Sequence, residues 1–138
     1  MNAKSVLSQP LAQKKQLDSI NTRISLLREV AAISSPILDG MPHPLSSGDS
    51  PVASTACAIA DLETQLQDLQ QVYASSLQAT TGIILQLENP LAQEICIRRY
   101  LQGASWKAIS IDLSYSRSTI MRIHKEALRS VQQMLDTS

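Results

Sequence analysis

Seven basic side chains lie in the segment 89–138 of this 138-residue chain: Arg98, Arg99, Lys107, Arg117, Arg122, Lys125 and Arg129. Four carboxylates share that segment, for a net charge of +3, whereas residues 1–88 carry five basic and eight acidic groups, for −3. The overall charge of zero therefore conceals a chain with one basic end, and a basic end on an otherwise acidic chain suits a polyanion. The densest part is Ser116, Arg117, Ser118, Thr119, Met121, Arg122 and Lys125, with Lys107 upstream. Arginine can make paired bonds to guanine or phosphate, lysine offers a point charge, and hydroxyls serve phosphates or base edges. These eight residues are the candidate DNA-binding set. Arg98 and Arg99 are further candidates for flanking phosphates.

Other chemistries find no support. His43 and His124 are far apart in sequence and near neither Cys57 nor Cys96, so no zinc site is expected. Neither a P-loop, a dinucleotide-binding glycine motif, a nucleophile elbow nor a metalloprotease helix motif occurs, and four glycines provide no phosphate-cradling loop. The expectation is a non-enzyme with no catalytic residues, metal or cofactor, and with His124 on the surface or facing phosphate. Both cysteines read as small buried hydrophobes of a reducing compartment.

The basic residues need elements to aim them. Asn89 before Pro90 is an N-cap with proline at the first helical position, and that helix carries Leu91, Ile95, Ile97 and Leu101 before Gly103. Ser105 caps a short helix over 106–113, with Ile109 and Leu113 on one side. Ser114 and Tyr115 form a tight turn, and Ser116 caps a last helix whose inner face holds Ile120, Ile123, Ala127, Leu128 and Val131. This order of short helix, tight turn and helix is the helix-turn-helix layout, with Arg117, Ser118, Thr119, Met121, Arg122 and Lys125 facing outward near the start of the recognition helix.

Upstream, a helix is expected from Ser8, with Pro10 in its first turn and Leu17, Ile20, Ile24, Leu27 and Ala31 as a heptad seam. The stretch 34–51, with prolines at 36, 42, 44 and 51 and glycines at 40 and 48, reads as a loop that Ile37, Leu38, Met41 and Leu45 could anchor. A second long helix, about 52–87, continues the seam through Ile59, Leu62, Leu66, Leu69 and Tyr73. The seam drifts at Leu77 and resumes at Thr80, Ile84 and Leu87. Two such helices should fold back as a hairpin, a coiled-coil-like arm over 1–88 that could form a homodimer, ahead of a helix-turn-helix domain over 89–138. The expected class is all-α, which the four aromatic residues and the absence of Phe support. Neither a signal peptide nor a membrane-spanning run is apparent, so the expected location is cytoplasmic, without a membrane partner.

The run Arg99-Tyr-Leu-Gln-Gly-Ala-Ser-Trp-Lys-Ala-Ile109, then Leu113-Ser-Tyr-Ser-Arg-Ser-Thr119 and Ile123-His-Lys-Glu-Ala-Leu128, resembles region 4 of sigma-70-type factors. With Ile33-Ser-Ser-Pro36, Gly40-Met-Pro42 and Asp61-Leu-Glu63, residues 20–135 resemble the ArpU-like transcriptional regulators of phages and prophages. That resemblance implies a phage-encoded regulator of late genes that binds promoter double-stranded DNA and contacts RNA polymerase. Ser114 stands where region 4 usually has glycine, and Ser118, Thr119 and Met121 are less charged than its usual residues. Two alternatives stay open: an adaptor that binds polymerase or another protein with little DNA affinity, and a DNA-packaging component akin to small terminase subunits.

Overall fold

A computed structural model describes residues 2–34 and 51–137. The protein is all-α, and no strand occurs among the described residues. Its helices are α1 (Ala3–Ser34), α2 (Pro51–Leu85), α3 (Pro90–Cys96), α4 (Trp106–Leu113) and α5 (Arg117–Thr137). A π-helical stretch, Ile97–Leu101, extends α3. Most of the expected loop over 34–51, including His43 and its apolar anchors, lies outside the described residues.

The start of α1 differs from the sequence expectation. The helix begins at Ala3, not Ser8, so Pro10 sits inside it. Asn2 supplies the cap, its Oδ1 accepting from the Lys4 amide at 3.0 Å, and the Ala3 amide donates to Gln132 Oε1 of α5 at 2.9 Å. Pro10 leaves the Val6 carbonyl without its helical donor, a loss offset by full burial of the Pro10 ring and of Leu7.

The helices divide into two compact units, one of residues 1–14 with 72–138 and the other of residues 15–71. Both long helices cross the division. In the first unit Ala3 and Leu7 of α1 and Ile84 of α2 share one core with Leu87, Ile95, Cys96, Tyr100, Ile109, Ile120, Ile123, Ala127 and Val131. Burying each of the large aliphatic side chains contributes about 1.5–3 kcal/mol. The terminal turns of the long helices therefore belong to the same core as α3, α4 and α5.

In the second unit Leu17 and Ile24 are buried, whereas Ile20, Leu27, Ala31, Ile59, Leu62, Leu66 and Leu69 are half-buried. Gln16, Ile20 and Arg23 share a depression with Gln65 and Leu69, and further along α1 Arg28 donates to Glu63 at 2.6 Å. The ion pair is solvated and contributes about 0–1 kcal/mol. Cys57 corrects the sequence expectation by being exposed, two residues from Ile59 and so across the helix from the seam; Cys96 is buried as expected. The drift of the seam at Leu77 falls shortly after the unit boundary at residue 72.

Candidate nucleic-acid interface

The turn between α4 and α5 is assembled by local hydrogen bonds. Ser105 Oγ accepts from the Ala108 amide at 3.1 Å and starts α4; earlier, Asn89 Oδ1 accepts from the Leu91 amide at 3.0 Å and starts α3. Ser114 ends α4 with left-handed backbone angles, φ 59° and ψ 38°, which glycine adopts at no steric cost and serine adopts under mild strain. Ser110 Oγ donates to the Tyr115 carbonyl, tying the turn back onto α4. Ser116 Oγ accepts from the Thr119 amide at 3.3 Å and pairs with Thr119 Oγ1 at 2.9 Å. The turn is thus fastened at both ends, which fixes the direction in which α5 leaves it.

Residues on α5 sort by helical period. Ile120, Ile123, His124, Ala127 and Val131 are buried. Ser118, Met121, Arg122 and Lys125 face away from them and, with Glu126 and Arg129, line a shallow depression of about 270 Å³. Of the eight candidate residues, those four come together there. Arg117 and Ser116 are exposed beside the turn, Thr119 is half-buried by its bond to Ser116, and Lys107 is exposed on the first turn of α4. Among the described residues Lys107, Arg117, Lys125 and Arg129 form no ion pair, and Arg122 meets only Glu126, at 3.5 Å, with both side chains more than half exposed. No acidic residue occupies the first turn of α5, so nothing opposes the positive end of its dipole. Arg129 was not among the sequence candidates because it lies beyond the first two turns; its place at i+4 from Lys125 was the available signal.

Arg98 and Arg99, the further candidates for flanking phosphates, are half-buried and have partners within the fold. Arg98 bridges Glu94 at 2.9 Å and Asp112 of α4 at 3.3 Å. Arg99 lies over the Trp106 ring, 4.6 Å from its centre, and donates to the Ala104 carbonyl at 3.1 Å. Both fasten the π-helical stretch to α4. Gly103 follows with φ 73°, and a side chain there would meet Leu11 of α1.

His124 also departs from expectation, since it is buried. Its Nε2 lies 2.6 Å from the Tyr100 hydroxyl, and Trp106 packs edge-on to its ring with centres 4.6 Å apart. Burial, helped by the positive charges of Lys4 and Arg99, pushes its pKa down to about 4. Burial and the neighbouring Cys96 thiol push Tyr100 up to about 12, with Arg99 pulling the other way, so the hydroxyl keeps its proton and donates to a neutral ring. Burial raises the Cys96 thiol to about 11, which leaves it unreactive at neutral pH. The signal for His124 was its place at i+4 from Ile120 and three residues before Ala127, on the inner stripe. Its polarity pointed the other way.

Among the described residues no group of His, Cys, Asp and Glu side chains is arranged to hold a metal ion, and no helix is long and apolar enough to cross a membrane. Compared with family models, curated proteins and solved structures, the chain matches none.

Proposed function

We propose that the chain is a sequence-specific DNA-binding transcription regulator in which α4 and α5 form a helix-turn-helix and the start of α5 enters the major groove. The observation that carries this reading is the two-sidedness of α5: Ile120, Ile123, Ala127 and Val131 are locked into the core, and Ser118, Met121, Arg122 and Lys125 are presented together outward. Arg117 and Arg122 make charge-assisted bonds to guanine or phosphate, Lys125 and Lys107 take phosphates, Ser118 reads a base edge, and Met121 packs against a thymine methyl. Ser116 and Thr119 hold the helix start in place. The resemblance to ArpU-like regulators supports a phage protein of the cytoplasm that acts on late genes and contacts RNA polymerase. In this reading α1 and α2 form the hairpin arm through which a homodimer assembles, and the chain has no catalytic role.

A second reading, a protein-binding adaptor, is favoured by one observation. Leu26, Val30 and Ile33 recur at helical spacing on α1 with exposures of 55%, 49% and 84%. Fluorescence anisotropy on duplexes recovered with the protein from its host separates the two. Replacing Arg117 and Arg122 by Ala should weaken binding, by about 1–3 kcal/mol for each paired base contact and by less, with a shallower salt dependence, for each phosphate contact. Replacing Lys14 and Lys15 should change nothing. Equal affinity of the folded double variant and the wild type would favour the adaptor.

A further inference from the structure

Glu126 is a carboxylate on the face of α5 that otherwise presents Arg122, Lys125 and Arg129. Its Oε1 lies 3.5 Å from the Arg122 guanidinium one turn away, and the two side chains are 57% and 65% exposed. Such a solvated pair is held weakly and exchanges easily. It nevertheless places a negative charge among three cations at the surface that a polyanion would meet.

Resting on the reading of α5 as the DNA-contacting helix, we propose that Glu126 is an electrostatic brake on sequence-independent binding. When a duplex approaches, Arg122 must leave Glu126 to reach phosphate, and the carboxylate then remains in the field of the backbone without that partner. On DNA of arbitrary sequence, charge neutralisation supplies nearly all the affinity, so a carboxylate here acts where it has most effect. The other exposed carboxylate of α5, Asp136, accepts from Gln132 at 3.1 Å and does not line the depression. It provides a charge-matched control on the same helix.

The test compares wild type, Glu126→Gln, Glu126→Ala and Asp136→Asn, each checked for helix content, on a random-sequence duplex across a salt series. Glu126→Gln and Glu126→Ala should bind up to about fivefold more tightly at fixed salt, the ceiling set by a surface pair of this kind. Their plot of log affinity against log salt should be steeper by about one released counterion, from the freed Arg122. Asp136→Asn should match the wild type. Unchanged affinity in both Glu126 variants, an equal gain in Asp136→Asn, or weaker binding without the carboxylate would each overturn the brake. A wild type with no measurable affinity for any duplex would instead remove the reading on which the brake rests.

Discussion

His124 makes stability depend on pH in a window set by one buried ring. Its pKa in the fold is about 4, below the 6.5 of an exposed histidine, so between those values the unfolded chain holds a proton that the folded chain rejects. The contribution is therefore complete above about pH 6.5 and is lost as pH falls towards 4, because protonating Nε2 would oppose the proton already donated by Tyr100. From pH 7 to pH 5 the two values give a loss of about 2 kcal/mol, at about 1.4 kcal/mol per pKa unit. Urea unfolding followed by circular dichroism, on wild type and His124→Gln at pH 7, 6 and 5, measures it. Subtracting the variant removes the pH dependence that the two proteins share. The wild type should lose about 2 kcal/mol more than His124→Gln over this range. Equal losses would mean that His124 is not held neutral by its surroundings.

Two further changes test the packing. Leu7→Ala, far in sequence from the C-terminal helices but fully buried among them, should destabilise by about 2–5 kcal/mol and reduce hydrogen-exchange protection in α5; an effect under about 0.5 kcal/mol would detach the start of α1 from that core. Ser114→Gly should stabilise thermal unfolding by roughly 0.5 kcal/mol, relief of the left-handed strain exceeding the glycine entropy cost, and a loss of stability would refute that account of the turn.

Much of the local structure was legible because capping is local chemistry. Asn89, Ser105 and Ser116 each precede helix starts and each bond an amide two or three residues on, and Gly103 and Ser114 take the left-handed turns that helix ends require. Asn2 was an equally good cap, but Pro10 drew the helix start to itself, since proline favours first turns and is disfavoured inside a helix. Tertiary burial overrode that preference. Ala3, Leu7 and Pro10 are buried at helical spacing ahead of Leu17, where the expected seam began, and a repeat of apolar residues carries no address for what it covers. The partners of Arg98 and Arg99 were hidden for a related reason. Sequence gives their charge, whereas those partners, Asp112 and Trp106, lie on the separate helix α4.

The claim that α5 contacts DNA is tested most directly by mapping backbone amide shifts in the NMR spectrum as a recovered duplex is added to the full chain. The account predicts the largest changes over residues 116–125 and at Lys107, with a further change at Arg129, and little change over residues 15–33. Shifts concentrated on that arm segment, with residues 116–125 unmoved, would contradict it.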